Sequence, residues 1–259
     1  MKILEIDAGN TRIKWRLQQQ AGSAYETMSS GLVLATEKST RVPEQFTEQM
    51  QGLRAAELQS IQAIRASNVR GAPFAKALAS FCEAHFAVPV DFAVVGKHQA
   101  GVHNAYQNPG ALGVDRWLAM LAAYQSCQAA VCVVDCGSAL TVDLVADDGT
   151  HEGGFIVPGL HLMKLSLGSN TADLGYRPEN DFTLDPGKNT GEAIDHGILT
   201  MALGMLEHIY SNRGRDKNWY LCGGDAELLS SFIGWPHQVK PELVLDGLVF
   251  ACGQSGESI

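Results

Sequence analysis

Ile3-Leu4-Glu5-Ile6-Asp7-Ala8-Gly9-Asn10-Thr11-Arg12-Ile13-Lys14 and Cys132-Val133-Val134-Asp135-Cys136-Gly137-Ser138 are the two stretches on which the fold turns. Each is an apolar run that enters an acid, a glycine and short polar residues. After the first, Ile13, Trp15 and Leu17 alternate with Arg12, Lys14 and Arg16. Apolar run, turn and period-two alternation together predict a β-hairpin with the acid at its tip.

Outward from the first stretch, a third strand is expected around Gly31 to Thr36, a helix near Glu44 to Leu53 and a strand near Ile61 to Ala66. Pro73 opens a helix with Phe74, Leu78, Phe81 and Cys82 on one face, and a strand follows over Val88 to Val95. Around the second stretch, a helix over Arg116 to Cys127 presents Trp117, Met120, Leu121 and Tyr124 on one face. Strands follow over Ala130 to Val134, Leu140 to Val145 and Glu152 to Val157. Pro158-Gly159 breaks the pattern and Gly168 to Gly187 reads as loop-rich. A long helix then carries Ile194, Ile198, Met201, Met205 and Ile209. Trp219 to Cys222 is a strand into Gly223-Gly224, followed by short helices over Ala226 to Ile233 and Leu243 to Cys252. Three strands and a helix, met twice, predict a duplicated α/β protein whose hairpin tips face each other across a cleft.

Composition narrows the function classes. With 46% hydrophobic and 18% charged residues, the chain is that of an ordinary globular protein. A net charge of -9 lacks the basic footprint of nucleic-acid binding, so no nucleic-acid partner is expected. The apolar runs are shorter than the roughly 20 residues that span a bilayer, and the first reaches Asp7 too early for a secretory signal, so no membrane partner and a cytoplasmic location are expected. Six cysteines show no Cys-x-x-Cys pair and eight histidines no ligand spacing, so neither a disulfide frame nor a zinc site is signalled.

The two loops suit phosphate chemistry. Glycine lets backbone N–H groups approach an anion, and Asn10, Thr11 and Ser138 add donors. Lys14 supplies a positive charge. Asp7 and Asp135 would repel a polyphosphate unless a cation lay between, so they make sense as holders of Mg²⁺, its waters or a monovalent ion. Either loop alone is also what a hairpin turn requires, and the pairing of two in similar halves favours the phosphate reading.

At these residues the sequence resembles the type III pantothenate kinases, which include proteins labelled Bvg accessory factors, within the acetate and sugar kinase, Hsc70 and actin superfamily. The motifs are Asp7 to Lys14, Gly113-Val114-Asp115-Arg116-Trp117, Asp135 to Ser138, and Gly153-Gly154-Phe155-Ile156-Val157-Pro158-Gly159, of which the second is the most specific. The resemblance implies duplicated ribonuclease H-like (actin-like ATPase) halves, 1–112 and 113–259, each a mixed sheet flanked by helices, with the active site in the interdomain cleft. It implies ATP-dependent phosphorylation of pantothenate to 4'-phosphopantothenate, the first step of coenzyme A biosynthesis, by a homodimer needing Mg²⁺ and K⁺ or NH₄⁺.

Carried over residue by residue, the resemblance makes Asp115 the general base. Asp7, Ala8, Gly9, Asn10, Thr11, Arg12, Ile13, Lys14 and Ser138 become the ATP contacts, with Asp7 reaching Mg²⁺ through water. Tyr106, Gly113, Val114, Asp115, Arg116 and Thr190 become the substrate contacts, with Arg116 on the pantothenate carboxylate, and Asp135 becomes the monovalent-cation site. Gly223-Gly224-Asp225 resembles the glycine turn near the nucleoside, and Lys164 to Pro178 matches only loosely a loop touched by a partner subunit. Plainer roles stand beside these: Asp115 as N-cap of a helix starting at Arg116, Asn189 and Thr190 with Glu192 as a capping box, and Asp225 as a cap. A related sugar-type kinase and a non-catalytic ATP-binding regulator are the alternative functions.

Overall fold

The structure is a computed structural model, described over residues 1–22, 24–35, 39–53, 61–170 and 182–253. Two compact units make up the chain: Met1–Ala122 with Glu242–Ile259, and Ala123–Pro241.

In the first unit, β1 (Lys2–Ala8), β2 (Arg12–Ala21) and β3 (Ala24–Leu34) form an antiparallel meander. Helix α1 (Glu44–Gly52) leads to β4 (Ile61–Asn68), and α2 (Ala72–Phe86) to β5 (Val90–Phe92). β4 lies parallel to β1 and β5 parallel to β4, giving the order β3-β2-β1-β4-β5. A small hairpin, β6 (His98–Gln99) and β7 (Val102–His103), precedes α3 (Val114–Cys127). One face of the sheet is apolar. Leu4, Ile6, Ala8, Ile13, Trp15 and Leu17 pack with Phe46 and Met50 of α1 and with Phe74, Leu78 and Cys82 of α2. Each large apolar side chain buried there contributes on the order of 1.5–3 kcal/mol.

In the second unit, β8 (Val131–Cys136), β9 (Ala139–Val145) and β10 (His151–Pro158) repeat the meander. After α4 (Leu160–Asn170) and α5 (Thr190–Ile209) comes β11 (Asn218–Cys222), parallel to β8, then α6 (Ala226–Ser230) and β12 (Gln238–Val239), parallel to β11. The order is β10-β9-β8-β11-β12, so the two sheets share one topology and the expected duplication is present. Their hydrogen bonds repeat as well. Val69 N–H donates to the carbonyl of Ala8 (3.2 Å) as Asp225 N–H does to Cys136 (3.0 Å). Ala35 N–H donates to Thr11 (2.8 Å) as Gly159 N–H does to Ser138 (3.0 Å). In both units the turn after the fourth strand and the residue after the third strand clasp the first hairpin from behind.

The last helix, α7 (Leu243–Ala251), belongs to the first unit. A Cβ on its Gly247 would stand 2.2 Å from the Leu118 carbonyl oxygen, so α7 and α3 meet at backbone distance. Arg16, only 5% exposed, donates to Glu5 (2.6 Å), Glu242 (3.0 Å) and Asp246 (2.6 Å). Burial pushes the Glu5 carboxyl up against the pull of Arg16 and Arg65. These contacts explain why the units part within α3 and ahead of α7, whereas the sequence division falls at 112/113.

Three further expectations change. β3 starts at Ala24 and ends at Leu34, because an edge strand with polar, largely exposed residues shows no alternation; Thr36 lies outside the described residues. Helix α3 begins at Val114 instead of Arg116, which places Asp115 inside its first turn. Leu160–Asn170 is helical, so the loop-rich stretch expected from Gly168 does not begin there. Exposed Leu162, Leu165 and Leu167 blur the apolar stripe there. Inside the second unit, Lys164 of α4 pairs with fully buried Asp195 of α5 (2.9 Å), and the Lys164 ammonium lies 4.3 Å from the Phe182 ring centroid.

Candidate active site

The first loop stands at the end of β1. Asp7 faces Lys14 across the antiparallel pair and Ser67 across the parallel one, and both Asp7 and Lys14 are half-buried. The row below is Arg16, Glu5 and Arg65, the buried ionic network. Successive side chains on one face of a sheet belong to alternate residues, so a polar ladder climbs this face and ends at Asp7. Ala8 and Ile13 turn to the opposite, apolar face and are buried, leaving only their backbone for a ligand. Asn10 and Arg12 are exposed and Thr11 half-buried. A Cβ on Gly9 would come within 2.8 Å of the Arg12 carbonyl oxygen, so the tight loop requires glycine.

Asp135 holds the equivalent place in the second unit, half-buried at the end of β8 and facing Thr141 where Asp7 faces Lys14. Three glycines surround this loop. A Cβ on Gly137 would meet the Asp135 Oδ1 at 3.3 Å, one on Gly223 would meet it at 2.4 Å, and one on Gly159 would lie 2.1 Å from the Gly137 carbonyl oxygen. Ser138 is exposed at the tip. Burial, with Asp135 and Asp225 nearby, pushes the Cys136 thiol well up, so this cysteine stays protonated and inert. Asp225 stands at the N-cap position of α6 and contributes its backbone N–H to the Cys136 carbonyl.

A third cluster lies in the first unit. Asp115 Oδ1 accepts the N–H of Arg116 (2.8 Å), fixing the carboxylate in the first turn of α3. Gly113 leaves it room, since a Cβ there would stand 2.6 Å from Oδ1. Val114 opens the helix, and Gly113 accepts the N–H of Trp117 (3.0 Å). The Arg116 side chain, 6% exposed, donates to the Tyr106 hydroxyl (3.2 Å), and its guanidinium carbon lies 6.0 Å from that ring's centroid. Tyr106 is held in turn by its N–H to Asn104 (2.9 Å). Thr190 stands exposed at the start of α5, in the second unit, where Asn189 accepts from the Glu192 N–H (2.9 Å) as the expected cap, while Glu192 accepts from the N–H of Lys188 (2.6 Å), one residue ahead of the cap.

The structure therefore joins Asp7 with Lys14, Asp115 with Gly113 and Arg116 with Tyr106, and sets Asp135, Ser138 and Thr190 in the other unit. Sequence reasoning missed Arg70, whose guanidinium reaches the first loop. The available signal was its place in Asn68-Val69-Arg70-Gly71, the turn after β4, equivalent to Gly223-Gly224-Asp225 after β11. Among the described residues no three His, Cys, Asp or Glu side chains cluster to hold a metal ion. Mg²⁺ in phosphoryl-transfer sites draws much of its coordination from phosphate and water, a manner of binding that the carboxylate of Asp7 fits.

Two sheets of identical order, each with an acid at the tip of its first hairpin, define a duplicated actin-like ATPase fold. Solved structures agree on the fold. The ethanolamine utilization protein EutJ from Carboxydothermus hydrogenoformans aligns with a TM-score of 0.53 at 16% identity over 96% of this chain and 89% of its own. The activator of 2-hydroxyisocaproyl-CoA dehydratase from Clostridium difficile, with bound ADPNP, gives 0.52 at 11% over 97% and 93%. Within that class the sequence is more specific: the family model of type III pantothenate kinases matches residues 3–212, and the chain belongs to that family. Proteins named type III pantothenate kinase from Chromohalobacter salexigens and Pseudomonas aeruginosa are each 37% identical to it, over 95% of this chain and 85% of theirs, and 96% and 98%, respectively. Among the described residues no helix is long and apolar enough to cross a membrane.

Proposed function

We propose that this chain transfers the γ-phosphoryl group of ATP to the primary hydroxyl of pantothenate, with Asp115 as the general base. ATP-dependent phosphorylation of pantothenate, which begins coenzyme A biosynthesis, is the activity that membership of the family carries. One observation carries the assignment of the base: a half-buried carboxylate and a buried guanidinium are adjacent on the first turn of α3, each held by its own hydrogen bond. Arg116, held by Tyr106, offers a planar fork to the pantothenate carboxylate. Asp115 orients the hydroxyl and takes its proton as the bond to phosphorus forms. Gly113 and Val114 shape the same turn, and Thr190, in the second unit, is carried as a substrate contact by the family resemblance alone.

The backbone N–H groups of the loop from Asp7 to Lys14 take the phosphates, with Lys14 as a further donor; in the second unit the corresponding hydroxyl donor is Ser138. Glycines let both loops turn tightly, since a Cβ at Gly9, Gly159 or Gly223 would collide with loop atoms, and a tight turn is what brings successive backbone N–H groups together for an anion. Mg²⁺, when bound with ATP, supplies charge neutralisation, and Asp7 would hold it through water. Asp135, framed by Gly137 and Gly223, would hold the monovalent cation. Exchange of potassium and ammonium for sodium is expected to reduce pantothenate-dependent ADP release sharply, and indifference to the exchange removes Asp135 from this role. A homodimer in the cytoplasm belongs to the same proposal, and the exposed Leu162, Leu165 and Met201 of α4 and α5 support its dimeric part. Sedimentation of the purified chain at dimer mass is expected; a monomer overturns that part.

A further inference from the structure

We infer that Arg70 is a positioning residue for the nucleotide phosphates: it aims the N–H groups of the first loop by holding that loop's carbonyls from behind. Its Nη1 lies 3.2 Å from the Gly9 carbonyl oxygen, 2.8 Å from that of Asn10 and 2.9 Å from that of Ala35, while Nη2 reaches the Ser39 carbonyl at 3.4 Å. The arginine is itself fixed. Its N–H donates to the Asn68 side chain (3.0 Å), Asn68 donates onward to the Gly71 carbonyl (3.0 Å), and the guanidinium carbon sits 4.9 Å from the Phe74 ring centroid.

The consequence follows from peptide geometry. In a planar trans peptide the C=O of one residue and the N–H of the next point in opposite directions. Carbonyls of Gly9 and Asn10 drawn toward Arg70 turn the N–H groups of Asn10 and Thr11 the other way. Successive N–H groups aimed to one side of a turn form an anion-binding concavity. The Ala35 bond extends the hold, because Ala35 N–H donates to the Thr11 carbonyl (2.8 Å), so one guanidinium ties both flanks of the loop. A fixed positive charge behind the loop adds attraction for phosphate. Lysine cannot reproduce this, since its shorter side chain does not carry the ammonium to the place of Nη1, where three carbonyls converge, and it has no second nitrogen for the Ser39 carbonyl.

This inference rests on the loop being the ATP-phosphate site, and its test separates the two. Calorimetric titration with ADP and Mg²⁺ is run on the wild-type chain and on Arg70→Lys and Arg70→Ala, beside steady-state kinetics for both substrates. Both variants are expected to weaken ADP binding and raise the KM for ATP by about tenfold, with the KM for pantothenate changed less than about twofold, as for lost ground-state contacts to one substrate alone. Added guanidinium ion is expected to restore part of the ADP affinity of Arg70→Ala. Undiminished ADP affinity in Arg70→Lys, or an equal rise in both KM values, overturns the inference while leaving the function intact. A wild-type chain that binds no ADP overturns the reading of the loop and this inference with it. Should Arg70→Ala fail to fold, Arg70→Lys decides.

Discussion

Asp115→Asn is expected to lower kcat for pantothenate-dependent ADP release by about 10²–10⁴-fold, the usual contribution of a positioned general base. Its thermal midpoint and both KM values should change little. The substitution keeps shape and removes only the proton acceptor. An asparagine oxygen can still take the Arg116 N–H that Asp115 Oδ1 accepts at 2.8 Å, so the first turn of α3 retains its bond. Arg116 stays buried against Tyr106 and continues to bind the acceptor. A loss confined to kcat therefore marks an interaction made in the transition state alone. Full activity in a folded Asp115→Asn would sink the mechanism. The same assay, run with several acceptor alcohols, separates pantothenate from a sugar, and a chain that binds ATP without turnover on any acceptor would return the regulatory alternative.

Features of the fold that depend on neighbouring residues were legible in the sequence, and those made across long separations were not. The acid-glycine hairpins were readable because run, turn and alternation are local, and the sheets bear them out with one strand order used twice. The cap that Asn189 gives the Glu192 N–H is local too. Helix α4 escaped because its outward face carries Leu162 and Leu165, which erase the contrast that marks an amphipathic helix. The start of α3 was misplaced by two residues, since an aspartate suits both the cap and the first turn of a helix. Arg70 escaped for another reason. Its partners Gly9 and Asn10 stand about sixty positions away, so the one signal was the equivalence of its turn to Gly223-Gly224-Asp225, which shows only once the duplication is in place. The ionic ladder of Arg16, Glu5 and Arg65 was hidden likewise, because Glu5 reads as one polar break in an apolar strand until β4 is placed beside β1.

Gly223→Ala is expected to destabilise the second unit by ~2–5 kcal/mol, a large share of the roughly 5–15 kcal/mol that holds a typical domain. Two effects add. Gly223 has φ +90°, where a residue with a Cβ is strained by about 1–2 kcal/mol. The added Cβ would also lie 2.4 Å from the Asp135 Oδ1, 2.5 Å from the Cys136 carbonyl carbon and 2.6 Å from its oxygen, a collision with backbone that costs about 1–3 kcal/mol to relieve. Gly153→Ala isolates the first effect. That glycine lies in the same unit with φ +105°, yet nothing stands within 4 Å of its Cβ position, so its cost is strain without collision. Urea unfolding of the two variants should therefore place Gly223→Ala well below Gly153→Ala. The collision falls on Asp135, so turnover and its dependence on potassium should fail in Gly223→Ala and survive in Gly153→Ala. Equal losses of stability with equal activity would mean that the turn after β11 does not hold Asp135 in place, and the clasp repeated in both units would lose its functional meaning in the second.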